Sequence, residues 1–233
     1  MTEFITFNKS KKTGIIYNCK TKKIFKYAFE EKNLNQISNE CKGYNWYTKN
    51  IKKKLSFASL KRLNKKVISA TFPEITGMKL NYWDSVTKNY VHIKKVTRFY
   101  NKYWPKKKIT GAHGDLTLSN IIYKNNNTIE LIDWENFNKN EVWGYDICYF
   151  LISVISLPAL VKKKNFFLTK DLDFFENLWK DFFKEEYIFS KNPVLFMKKR
   201  YNKYFQNRPK QEYYPNKLNN YLSSQISEIT NKI

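Results

Sequence analysis

The sequence predicts an α+β fold in two lobes, a strand-rich N-terminal part followed by a helix-rich C-terminal part. Two patterns carry this expectation. Short segments with strand-like alternation crowd the first 80 residues. Beyond residue 84 the apolar spacing of three and four that marks helices dominates, interrupted by one loop-rich stretch at 109–135. The length agrees: 233 residues, at roughly 150 per domain, make one domain or two small lobes sharing a cleft. Hydrophobic residues at 42% and aromatics at 18% exclude a disordered chain, and 6 Gly with 6 Pro exclude collagen-like and low-complexity classes.

Segments 4–8 and 15–18 read as short strands. The third, TKKIFKYAF at 21–29, is clearer: Ile24, Lys26 and Ala28 share one face, and Phe25, Tyr27 and Phe29 the other. A lysine in mid-strand opposite large aromatics is either solvent-facing or functional. Residues 31–54 read as a helix, with Leu34, Ile37, Cys41 and Tyr44 on one side and Glu40 at the rim of that stripe. Gly43 interrupts it without an evident local reason. Two strands are expected at 66–72 and 74–80, broken by Pro73, and then a helix from Asp84 to Tyr103 ended by Pro105. Residues 109–135 read as loop, short strand IIY, an Asn turn and short strand IELID. Helices are expected at 142–156, 171–189, 193–206 and 216–230. The lobes then divide as 1–76 and 77–233.

Lys+Arg 43 against Asp+Glu 20 give a net charge of +23, which raises nucleic acid, acidic lipid or an anionic substrate as partners. Only four of these cations are Arg (Arg62, Arg98, Arg200, Arg208), the residue that clamps phosphate and reads guanine with a planar fork. The lysines are scattered, so the charge reads as a compositional bias and no nucleic-acid partner is expected. Three separated cysteines (Cys19, Cys41, Cys148) and two histidines form no zinc-ligand spacing and suit reduced thiols. The N-terminus lacks the apolar core of a signal peptide. The most apolar run, Ile147–Val161, holds Pro158 and is too short to span a bilayer, so a cytoplasmic location is expected.

The informative constellation is His113-Gly114-Asp115, then Asn120, then Asp133-Trp134-Glu135. Asp115 and Asn120 lie five residues apart in a tight loop. Asp133 leaves a strand that returns beside them through the Asn turn. Oxygen ligands of this kind suit Mg²⁺, which takes one or two carboxylates plus substrate phosphates. One carboxylate is then left to orient an attacking hydroxyl, and phosphoryl transfer needs those parts.

HGDLTLSN with IDWE resembles the catalytic and metal motifs of the aminoglycoside phosphotransferase / choline kinase family, small-molecule relatives of the protein kinases, whose loop and metal motif read HRD…N and DFG. The resemblance extends along the whole chain in its order of elements. It implies a two-lobed protein-kinase-like fold, with a small antiparallel sheet and one helix in the N-lobe and a mainly helical C-lobe. It implies ATP and Mg²⁺ as cofactors. By this likeness Asp115 is the catalytic base, and Asn120 and Asp133 are the Mg²⁺ ligands. His113 organises the loop. Lys26 is the third-strand lysine that holds nucleotide phosphates, and Glu40, 14 residues on, is its helix partner. Glu30 and Glu31 lie too near Lys26 for that role. Asp146 is a structural aspartate opening an apolar helix, and the nucleotide base is expected against Phe72, Glu74 and Ile75. No GxGxxG loop precedes Lys26; only Gly14 stands between the first strands.

The expected activity is transfer of the γ-phosphate of ATP to a hydroxyl of a small molecule. A strongly basic chain disfavours a polycationic aminoglycoside and favours a sugar or an anionic surface-glycan precursor. The motif variant also resembles that of bacterial phosphotransferases in cell-surface carbohydrate pathways. A choline- or ethanolamine-type amino alcohol is the alternative, with Trp143, Trp179, Tyr213 and Tyr214 as candidate cage residues. Two further alternatives are a pseudokinase that binds nucleotide without transfer, and a basic nucleic-acid-binding protein.

Overall fold

The computed structural model describes residues 3–8, 13–79, 86–124, 128–147, 149–151 and 153–154. The segments at 171–189, 193–206 and 216–230 expected to be helical lie outside the described residues, as do Cys148, Trp179, Tyr213 and Tyr214. The chain divides into two compact units, one of Met1–Lys79, Trp104–Asp115 and Asn120–Val142, the other of Leu80–Tyr103, Leu116–Ser119 and Trp143–Ile233.

The first unit holds the sheets. Strands β1 (Glu3–Asn8), β2 (Thr13–Asn18), β3 (Lys23–Ala28), β4 (Ser59–Arg62) and β5 (Ile68–Pro73) form one antiparallel sheet in the order β1-β2-β3-β5-β4. Lys26 stands at its centre, in register with Ile15 on one side and Ala70 on the other. Helix α1 (Glu31–Asn50) turns the expected stripe of Leu34, Ile37, Cys41 and Tyr44, extended by Tyr47, into the core. Tyr44 meets the Phe72 ring edge-on at 5.7 Å. The helix stops four residues short of the expected end. The amides of Ile51 and Lys52 both donate to the Tyr47 carbonyl, which closes the last turn.

Two strand expectations are corrected. β5 lies between β3 and β4, and β4 is a strand that the sequence reading did not include. SLKR is exposed at all four positions, so it carries no alternating pattern by which to recognise a strand. The expected strand 74–80 reduces to β6 (Met78–Lys79), which joins a separate three-stranded sheet with β8 (Ile121–Tyr123) and β9 (Ile129–Leu131). A further antiparallel pair joins β7 (Ile109–Ala112) to β10 (Asn138–Val142). Helical structure resumes at 145, three residues later than expected.

In the first unit Trp134 is the hub of an aromatic cluster. Its ring lies 4.5 Å from His113, 5.1 Å from Tyr47, and 6.1–6.2 Å from Trp46, Trp104 and Phe137. Trp134 and Tyr47 are fully buried, and Trp104 nearly so. Glu130 on β9 ties the end of α1 to this region: it accepts from the Tyr47 hydroxyl at 3.0 Å and pairs with Lys52 and Lys124 at 3.3 Å. In the second unit, helix α2 (Val86–Tyr103) buries Ile93, Val96, Phe99 and Tyr100. The Tyr100 hydroxyl accepts from the Gly144 amide at 3.0 Å, and its ring packs on Trp143 at 5.5 Å.

Candidate active site

The β3 register and the α1 stripe bring Lys26 and Glu40 together. Lys26 Nζ lies 2.5 Å from Glu40 Oε1 and 3.8 Å from Asp133 Oδ1, and 5.7 Å from the centre of the Phe72 ring. The Glu40 side chain is 7% exposed and that of Asp133 43%, so the pair has one buried and one open carboxylate. Burial alone would lower the Lys26 pKa. The carboxylates of Glu40, then Asp133 and Glu135, outweigh it and hold the ammonium above its ordinary value. Lys26 is therefore a fixed cation at neutral pH.

A second set of contacts shapes the loop from His113 to Asn120. His113 is fully buried. Its Nε2 faces the Ile132 carbonyl at 2.8 Å, and its Nδ1 accepts the Asp115 amide at 3.3 Å. Those partners require a neutral ring protonated on Nε2, and burial accordingly lowers its pKa. Asn120 donates from Nδ2 to the Asp115 carbonyl at 2.8 Å, and its own carbonyl accepts the Ile132 amide at 3.0 Å. The backbone of Asp115 is thus held from both sides. Gly114 has φ +82, and a Cβ there would lie 2.1 Å from the Asn136 carbonyl oxygen. Gly114→Ala is expected to lower stability by about 3 kcal/mol or more, through left-handed strain and the clash together. Thermal unfolding of the variant beside the wild type measures this.

Asp133 itself adopts a left-handed backbone, φ +64. Asp tolerates that region better than most residues. Helix α1 clamps the turn that follows. Asn39 Nδ2 donates to the carbonyls of Glu135 at 2.9 Å and Phe137 at 2.8 Å, and Gln36 donates to the Glu135 carboxylate. Gly43 completes the same helix face: a Cβ on it would fall 2.6 Å from the Phe137 Cβ and 2.8 Å from the Trp134 Cβ. The glycine that broke the helical pattern is where this turn approaches α1. Gln36 and Asn39 escaped the sequence reading, and Trp134 and Glu135 were named there only as part of the motif. The spacing 36, 39, 40, 43 along one helix face was the available signal.

Lys26, Glu40, Asp133, Gln36 and Glu135 border a cleft of about 270 Å³, lined also by Thr6, Asn8 and Thr13. The expected base-contact residues are placed differently from one another. The Phe72 ring is buried beside Lys26. The Glu74 amide donates to the Lys22 carbonyl at 2.9 Å, extending the β3–β5 pairing, and its carboxylate is hydrogen-bonded by the Tyr17 hydroxyl. Ile75 is half-buried. Asp146 lies in the second unit, fully buried, one residue into the helical segment that starts at 145.

The oxygen donors present fit Mg²⁺ rather than a pre-formed metal cage. Among the described residues no three His, Cys, Asp or Glu side chains converge on a metal position. The open Asp133 carboxylate is a donor of the kind taken by an ion held largely by phosphates and water; Asn120 is buried and does not line the cleft.

No family model matches the chain, and no curated protein sequence matches it. Solved structures do. The choline kinase LicA from Streptococcus pneumoniae is similar at TM-score 0.58 and 10% identity, over 98% of this chain and 94% of that one. The aminoglycoside phosphotransferase APH(3'')-Id from Streptomyces rimosus is similar at TM-score 0.56 and 9% identity, over 87% and 90%. A complex of the phosphotransferase APH(2'')-IIa with streptomycin and ATP is similar at TM-score 0.52 and 9% identity, over 88% and 87%. The fold is that of the protein-kinase-like small-molecule kinases.

Lys26→Ala is expected to raise the KM for ATP and lower turnover. It also leaves Glu40 without its counter-ion. Because Lys26 is a quarter exposed, the stability loss should stay near 1–3 kcal/mol, below that of breaking a fully buried pair. Steady-state kinetics together with circular dichroism check both parts, and full activity would make the Lys26–Glu40 pair a structural one.

Proposed function

We propose that this protein is an ATP- and Mg²⁺-dependent phosphotransferase that modifies a hydroxyl of a small molecule. The observation that carries the reading is the meeting of Lys26, Glu40 and Asp133 in one cleft, a fixed cation between a buried and an open carboxylate. Lys26, oriented by Glu40, is the group for the nucleotide phosphates. Asp133 and Asn120 would hold Mg²⁺. With Asn120 Nδ2 committed to the Asp115 carbonyl, its Oδ1 is the atom for the ion. Bound there, Mg²⁺ supplies charge neutralisation for the phosphates. Asp115, its backbone held by His113 and Asn120, takes the proton of the acceptor hydroxyl and aligns that oxygen with the γ-phosphate. His113, neutral and buried, shapes the loop and transfers no proton.

In this reading residues 1–76 serve the nucleotide and 77–233 the acceptor, although 104–115 and 120–142 belong to the same compact unit as 1–79. A base resting at 72–75 meets the Glu74 carbonyl and Ile75, since the Glu74 amide already serves Lys22. For the acceptor, the charge of +23 favours a neutral or anionic sugar, such as a cell-surface carbohydrate precursor, over a polycation. Of the aromatic residues considered for an amino-alcohol cage, Trp143 is fully buried against Tyr100, which makes it a core residue. The test is ATP turnover with Mg²⁺ against a panel of sugars, sugar phosphates and amino alcohols, repeated with chelator. Chelator-sensitive turnover that depends on a sugar supports the reading. Turnover with an amino alcohol alone replaces the substrate class, and no turnover with any acceptor overturns the activity.

A further inference from the structure

Residues 53–66 make a basic edge studded with apolar side chains. No Asp or Glu occurs between Glu40 and Glu74. Lys53, Lys54, Lys61, Arg62, Lys65 and Lys66 are all exposed. Among them stand Phe57, 61% exposed, Leu60, 43%, and Leu63, 49%. The edge is built rather than loose. Asn45 on α1 brackets Ala58 with two hydrogen bonds, at 2.7 and 3.0 Å. β4 pairs with β5 from Ser59↔Thr71 to Arg62↔Ile68, and the amides of Leu63 and Asn64 both turn back to the Val67 carbonyl. A compositional preference for lysine accounts for lysines in polar positions. It does not account for three large apolar side chains left in water beside them, one on an ordered edge strand and two flanking it.

We propose that this edge docks the protein on an anionic lipid surface. Charge complementarity selects the partner. Five of the six cations are Lys, point charges suited to the diffuse field of anionic headgroups. Base reading and bidentate phosphate contacts favour the forked guanidinium, which only Arg62 offers here. Phe57, Leu60 and Leu63 gain by leaving water only where an apolar layer receives them, and the headgroup–acyl boundary is such a layer. Among the described residues no helix is long and apolar enough to cross a membrane, so the attachment proposed is peripheral. The proposal is independent of the phosphotransfer reading, because none of these residues borders the cleft.

The experiment is co-sedimentation of the full chain with vesicles of phosphatidylcholine alone and of phosphatidylcholine mixed with phosphatidylglycerol, across a salt series. The expected result is binding to the mixed vesicles only, weakening as salt rises. The double variant Lys65→Glu/Lys66→Glu should lower that binding about tenfold or more. Phe57→Ser/Leu63→Ser should lower it several-fold while leaving the salt dependence unchanged. Both variants should keep the wild-type thermal midpoint and Mg²⁺-ATP affinity. No vesicle binding, equal binding to both vesicles, or indifference to both variants would overturn the proposal. So would tighter binding to a single-stranded oligonucleotide at the same salt, which would make the edge a nucleic-acid surface.

Discussion

Asp133→Ala is expected to abolish Mg²⁺-dependent nucleotide binding. Asp133 is the open carboxylate of the cleft, 43% exposed and 3.8 Å from Lys26 Nζ. Its left-handed backbone, φ +64, is held by the contacts of Asn39 with Glu135 and Phe137. The residue is therefore placed by the turn, and its carboxylate contacts Lys26 at the longer distance of 3.8 Å, against 2.5 Å for Glu40. In the proposed reading, removing it deletes the charged ligand of the ion and leaves Lys26 and Glu40 in place. The loss in Mg²⁺-ATP affinity should reach about a hundredfold or more, equivalent to about 2.7 kcal/mol. Ala tolerates the left-handed region less well than Asp. Asp133→Asn, which keeps the shape and removes the charge, separates that strain from ligand loss. Calorimetric titration with ATP, with and without Mg²⁺, is the measurement. Equal Mg²⁺-ATP affinity in wild type and both variants would remove Asp133 from the metal site.

Asp115→Asn should act on rate and spare binding. Asp115 is not assigned to the ion. Its amide is bonded to His113 Nδ1 and its carbonyl to Asn120, so the loop geometry survives a change confined to the end of the side chain. What disappears is the proton acceptor. That interaction matters in the transition state far more than in the ground state, so the loss belongs in kcat, with nucleotide affinity nearly intact. A drop of about 10²–10⁴-fold is the usual size of a general-base contribution. Asn120→Ala should behave differently, weakening Mg²⁺ dependence together with rate. A variant with unaltered kcat would mean that Asp115 takes no proton.

How much of this was readable from sequence differs by residue. The two-residue alternation placed Lys26 on a strand face, and the three-and-four spacing placed Glu40 beside the stripe of α1, because each signal is local. That the two would meet, as they do at 2.5 Å, was implied by the family resemblance and not by either local signal. β4 was missed because its four residues are all exposed: an edge strand held by backbone pairing leaves no mark in apolar periodicity. The segment after Pro73 was misassigned because its pairing partner, β8, lies more than forty residues away. Gln36, Asn39 and Gly43 belong to the same class. Their purpose is contact with a turn almost a hundred residues later; their spacing marks one shared helix face, but nothing local says what that face meets. Trp134 stood inside the recognised motif, yet its place at the centre of an aromatic cluster emerged only from the packing.

The most direct test of the central claim follows the phosphate itself. Wild type and Asp115→Asn are incubated with Mg²⁺ and ATP labelled at either the α- or the γ-phosphate, with an acceptor mixture of sugars, sugar phosphates and amino alcohols. The account predicts label in an acceptor from γ-labelled ATP only, in the wild type, and its loss in Asp115→Asn at equal nucleotide occupancy. Wild-type protein that binds Mg²⁺-ATP and labels no acceptor, with Asp115→Asn indistinguishable from it, would contradict the account and make the chain a nucleotide-binding pseudokinase.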